Sequence, residues 1–179
     1  MAFPSCLARI GGSSRRIWQV LRDHIRFYPN GMGDFMRVSR VRDHLYICGY
    51  FALSQGALNQ NGITCVVNAT VDDPAEAWEG VEYVKVPVLD SPSANLAPYF
   101  HQVADKIAEI ASKGGRTLVH CIAGVSRSSS LCIGYLMKYE KLSLQSAYEA
   151  VKAKRTIIQP NPGFWAQLQA FETSLKTHN

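Results

Sequence analysis

The stretch Thr117 to Ser130, Thr-Leu-Val-His-Cys-Ile-Ala-Gly-Val-Ser-Arg-Ser-Ser-Ser, restricts what this chain can fold into more than any other. An apolar run ends at His120-Cys121, five uncharged residues follow, and Arg127 opens a helical pattern. This reads as a strand, a tight loop and a helix start built around one thiol. Gly124 can take conformations closed to other residues. The loop Ile122, Ala123, Gly124, Val125 and Ser126 can therefore curl until its amide N–H groups point at one centre. With the N-terminal end of the following helix, those amides form a concavity for an anion, and phosphate suits it best.

Amides that hold a phosphate dianion also stabilise a thiolate, so Cys121 is expected to have a depressed pKa and to act as a nucleophile. The planar fork of Arg127 can grip two phosphoryl oxygens, which Lys could meet only as a point charge. Ser128 can offer its hydroxyl to the sulfur and make the thiolate a better leaving group. His120, at the buried end of the strand, is expected to orient the loop rather than exchange protons.

His120-Cys121-x5-Arg127-Ser128 resembles the signature of the cysteine-dependent protein phosphatases, and Ala123-Gly124-Val125-Ser126-Arg127-Ser128 is similar to the form used by their dual-specificity branch. The likeness runs from about Asp43 to Phe171. It implies a phospho-cysteine mechanism without cofactor or metal, acting on phosphotyrosine and phosphoserine/phosphothreonine of proteins. It also implies a general acid at Asp90, in Val86-Pro87-Val88-Leu89-Asp90-Ser91-Pro92, right after a strand. Asp72 and Asp73 are competing carboxylates in another loop. Asn161 resembles a family residue near the phosphate loop, although a helix-capping role alone would account for it. The chain departs from the family at Lys154-Arg155-Thr156, where Pro often follows the Arg; this is expected to touch only the local turn.

At 179 residues the chain has enough length for one domain with a sizeable core, and 47% hydrophobic with 18% charged residues describes an ordinary soluble globular protein. Five cysteines without a C-x-x-C pair argue against a disulfide framework or a zinc site. Cys48, Cys65 and Cys132 read as small buried hydrophobes, one of which could trap an oxidised Cys121. The net charge of +5 favours acidic partners but is too mild and scattered to indicate nucleic acid.

Three segments are expected: an N-terminal arm over 1–36, a catalytic domain over 37–176 and a tail over 177–179. Within the arm, Arg15 to Phe27 can form a basic amphipathic helix. It could pack on the domain, serve as a mitochondrial presequence, or dock on an acidic surface. No stretch approaches 18 uninterrupted apolar residues, so no transmembrane helix is expected. The expected address is the cytoplasm or nucleus, with mitochondrial association as the alternative.

Strands are expected at Leu45 to Cys48, Ile63 to Asn68, Tyr83 to Val88 and before Cys121. Helices are expected at Ala52 to Asn59, Ala97 to Lys113, Arg127 to Tyr139 and Leu144 to Lys154, with a last one opening at Asn161-Pro162. Tyr148 and Trp165 read as core residues. The fold expected is α/β: a central, mostly parallel sheet of about five strands flanked by helices, protein tyrosine phosphatase-like. The Cys121 loop would lie at the carboxyl edge of that sheet.

Ile122, Ala123 and Val125 carry no charge where family members directed at lipids or highly phosphorylated ligands tend to place Lys or Arg, so the resemblance implies protein substrates, with signalling kinases as candidate partners. The short chain fits a shallow cleft and the small, catalytic-domain-only group. Three rivals are weighed against this: a phosphate-reading module without turnover, a phosphatase for RNA 5′ ends or lipids, and a redox enzyme using Cys121.

Overall fold

The strand that ends at Cys121 lies at the centre of the sheet. The structure, a computed structural model, describes residues 32–71 and 78–177. Its strands are β1 (Ser39–Arg42), β2 (Leu45–Gly49), β3 (Cys65–Asn68), β4 (Glu82–Lys85) and β5 (Thr117–Cys121), in the order β1-β2-β5-β3-β4. All neighbours are parallel except β1 on β2. In register, Gly49 lies opposite Cys121, Asn68 opposite His120, and Lys85 opposite Asn68. Four strands therefore finish at one edge, where open α/β folds bind ligands.

The helices are α1 (Met32–Phe35), α2 (Gln55–Asn61), α3 (Ala97–Ser112), α4 (Arg127–Tyr139), α5 (Leu144–Lys152) and α6 (Pro162–Thr177). Alternate residues of β5 face opposite layers. Val119 and Cys121 join the larger core with residues of α3 to α6, while Leu118 joins Tyr46, Leu58 and Val66 on the α2 side. The central helix α4 is buried from Arg127 through Met137 and packs against α3, α5 and α6. A helix enclosed on so many sides gives the loop before it a rigid floor.

Several boundaries differ from expectation, each for a local reason. The helix expected from Ala52 starts at Gln55, because the Ser54 side chain accepts from the Ala57 amide as an N-cap; a 3-10 turn covers Tyr50–Ala52 instead. The strand expected to reach Val88 ends at Lys85, and Pro87 just beyond has no amide to continue the ladder. The strand expected from Ile63 begins at Cys65, since the Ile63 amide closes the helix end onto the Leu58 carbonyl and the Thr64 amide donates to the Arg116 carbonyl just before β5. Helix α5 stops at Lys152, not Lys154. The Arg15 to Phe27 helix, Asp72, Asp73 and the last two residues lie outside the described residues. None of the described helices is long and apolar enough to cross a membrane.

Candidate active site

The loop from Ile122 to Ser126 is held by its carbonyls. The Ile122 oxygen accepts from the Tyr50 amide at 3.0 Å, and those of Ala123 and Gly124 accept from the Arg155 guanidinium at 3.1 and 2.7 Å. The Val125 oxygen accepts from the Gln159 amide and the Ser129 hydroxyl, and the Ser126 oxygen from the Ser130 amide and the hydroxyls of Ser129 and Ser130. A peptide whose C=O is anchored outward has its N–H turned the other way. The loop amides accordingly face the thiol, and the Gly124 N–H lies 3.3 Å from Cys121 Sγ. Gly124 adopts φ +68°, the left-handed region that lets the loop close.

Helix α4 begins at this loop without a side-chain cap. The Ser126 hydroxyl, which could have capped it, donates to Asp90 Oδ1 at 2.7 Å and accepts from the Asn161 amide at 3.1 Å. The first-turn amides of α4 therefore add to the anion-binding surface.

Cys121 is buried, and burial alone would push its thiol upward. The Arg127 guanidinium and hydrogen bonds from Ser128 outweigh burial and an opposing effect of Asp90, so its pKa falls below the ordinary thiol value. Ser128 Oγ lies 3.3 Å from the sulfur. Arg127, also buried, donates from Nη1 to the Val88 carbonyl at 3.2 Å. Its Nε lies 3.5 Å from Asp90 Oδ2, an ion-pair distance without hydrogen-bond geometry, and remains a donor available to an oxyanion.

Asp90 sits five residues past the end of β4, with its side chain about one-third exposed at 34%. Asn161 Nδ2 donates to its Oδ1 at 2.9 Å while Asn161 Oδ1 accepts from the Phe164 amide at 3.0 Å, so one side chain both caps α6 and holds the carboxylate. The two readings of Asn161 are therefore compatible. Gly163, in the first turn of α6, lies against the chain after Asp90, and a Cβ there would overlap the Pro92 carbonyl.

His120 is buried beneath the loop, and although neither ring nitrogen makes a hydrogen bond of good geometry, the Cys121 backbone is a polar neighbour that favours its charged form. Desolvation, with the Lys85 and Arg127 charges adding to it, pulls its pKa down to about 3. Burial pushes Cys48 to about 12 and Cys65 to about 11, and raises Cys132 as well, so these thiols are inert beside Cys121. The structure thus brings Cys121, Ile122 to Ser126, Arg127, Ser128, Asp90 and Asn161 together at one site. Sequence reasoning missed Arg155, Ser129 and Ser130, which hold the loop from behind. A run of three serines at a helix start was the one signal available for the last two.

Comparison with known proteins gives a consistent result. A family model described as "Dual specificity phosphatase, catalytic domain" matches residues 45–174. The chain is 48% identical over 144 residues to Dual specificity protein phosphatase 14 from Homo sapiens, covering 80% of this chain and 73% of that protein. It is 48% identical over 142 residues to human Dual specificity protein phosphatase 21, covering 79% and 75%. The crystal structure of human DUSP28 superposes with a TM-score of 0.75 at 34% identity, covering 78% of this chain and 95% of that one.

Proposed function

The chain belongs to the dual specificity protein phosphatase family and is a phosphoprotein phosphatase, and from that premise we propose that its chemistry runs through a phospho-cysteine formed on Cys121. The Cys121 thiolate attacks phosphorus in line, and the bond from phosphorus to the serine, threonine or tyrosine oxygen breaks. Asp90 gives that oxygen its proton, since an alkoxide or phenoxide leaves poorly. Water, deprotonated by the same Asp90, then attacks the phospho-cysteine, and sulfur leaves as a thiolate met by the Ser128 hydroxyl. Arg127 and the loop amides hold the equatorial oxygens in both steps, so each developing charge meets a group of the chain itself.

The observation that carries this reading is the convergence on Cys121 Sγ: the Gly124 N–H at 3.3 Å, the Ser128 hydroxyl at 3.3 Å, and a lowered thiol pKa owed to Arg127. Within the phosphoprotein class the narrower substrates proposed are signalling kinases, whose activation loops carry phosphothreonine and phosphotyrosine. The proposed address is the cytoplasm or nucleus. The four described cysteines, all free thiols, agree with a reducing compartment.

The test is steady-state hydrolysis of an aryl phosphate and of a doubly phosphorylated activation-loop peptide, in EDTA, by the native chain and by Cys121→Ser. Turnover by the native chain and none by the variant is expected. A variant that keeps a tenth or more of native activity would remove Cys121 from the mechanism.

A further inference from the structure

Arg155 is fully buried, and its hydrogen bonds run to oxygens on two separate segments. On one side Nε and Nη2 hold the carbonyls of Gly124 and Ala123. On the other, Nη1 donates to the backbone oxygens of Asp34 at 2.7 Å and Arg37 at 3.0 Å, and reaches Ser39 Oγ at 3.4 Å. The Asp34–Ser39 segment is also tied, at the surface, to the turn that carries Arg155. The Asp34 carboxylate accepts from Thr156 Oγ1 at 2.7 Å and from the Arg37 guanidinium, which also donates to the Lys154 carbonyl. Thr156 is the residue that replaces the family's frequent Pro, so its effect reaches beyond the local turn.

We propose that Arg155 is a positioning residue for the phosphate loop, and that the Asp34–Ser39 segment, docked on Arg155 and Thr156, is the latch that holds it in place. The Ala123 carbonyl shares a peptide plane with the Gly124 N–H, and the Gly124 carbonyl with the Val125 N–H. Arg155 fixes both oxygens outward and so aims both amides at the thiolate and at phosphate. Without the guanidinium, two buried carbonyls lose their donors. Flipping the planes would satisfy them, but it would turn oxygens toward the phosphate. Lys cannot replace the fork, because it offers one point charge on a flexible stem. The segment before β1 thereby becomes part of the pocket's support, and loosening it weakens oxyanion binding without touching a group that meets substrate.

This inference rests on reading the Cys121 loop as the catalytic pocket, and one set of measurements separates the two. Native chain, Thr156→Val, Arg37→Ala, Arg155→Lys and a distant core control, Ile110→Val, are compared. The readouts are the pH dependence of Cys121 alkylation by iodoacetate, inhibition by inorganic phosphate, and kcat and KM on an aryl phosphate. Arg155→Lys is expected to weaken phosphate inhibition about tenfold and to move the alkylation profile to higher pH. The exposed variants Thr156→Val and Arg37→Ala, which leave the core intact, should shift both readouts the same way by about threefold. Ile110→Val should lower the melting temperature and move neither. Native-like alkylation and phosphate inhibition in both exposed variants would overturn the latch, whether Arg155→Lys folds or not. An inactive native chain with an ordinary thiol profile would instead sink the catalytic reading beneath it.

Discussion

Asp90 uses its two carboxyl oxygens differently. Oδ1 accepts from both the Ser126 hydroxyl and Asn161 Nδ2, whereas Oδ2 lies beside Arg127, on the side where a phosphoryl group would be gripped. In the proposed mechanism Oδ2 carries the proton. Asp90→Asn keeps the shape and loses the proton, so kcat should fall about 10²- to 10³-fold with little change in KM. Comparing aryl phosphates of good and poor leaving groups across pH 5 to 9 checks this; an equal loss for both would count against proton donation. Asn161 allows its two roles to be separated. Asn161→Asp retains an oxygen for the Phe164 amide but sets a carboxylate against Asp90, so activity should drop about tenfold or more at nearly native thermal stability. Asn161→Ala should lose about 1 kcal/mol of stability in addition, from the cap. Unfolding curves and kcat measured on both variants decide whether the side chain serves the helix, the acid or both.

Among the elements, α6 does more for the site than its distance in sequence suggests. Its N-terminus carries Asn161 and lies so close to the chain after Asp90 that only Gly163 fits against the Pro92 carbonyl. That carbonyl is backbone and cannot swing aside as a side chain would. Gly163→Ala should therefore displace the Asp90 loop and lower kcat about tenfold or more; a native kcat would show that the contact positions nothing. The sequence made α6 legible through Asn161-Pro162, and β5 with its loop through the run into Cys121, because those signals are local. Elements shaped by remote partners were read less well. Val86 and Val88 have the residue types of a strand yet lie past the end of β4, and the Ser54 cap starts α2 three residues after Ala52, where the apolar pattern begins. The part that Arg155 plays is not legible in the Lys-Arg-Thr turn, because its partners lie 31 and 121 residues away and nothing local says that the Arg points inward.

At the scale of the whole molecule, the alternation of strand and helix was enough to expect a mostly parallel sheet with the thiol at its carboxyl edge. The antiparallel β1 and the order of the strands rest on pairings that no local pattern encodes. That parallel arrangement encloses His120 between Cys48 and Asn68 in the neighbouring strands, with no exposed surface. Its pKa falls from 6.5 to about 3 chiefly because the charged form would lose its water. Unfolded chains take up this proton as the pH drops through 6.5, and the folded protein does not until about 3, so the unfolded state binds more protons throughout that window. Stability is therefore present in full above pH 6.5 and declines as the pH falls. One such proton is worth about 1.4 kcal/mol per pH unit, or about 2 kcal/mol between pH 6.5 and 5. That interval lies above most carboxylate titrations. Urea unfolding of the native chain and of His120→Asn across it should give a shallower pH dependence in the variant, by about one proton. Equal slopes would mean that His120 is charged in the folded state, and that the layer beneath the phosphate loop admits water.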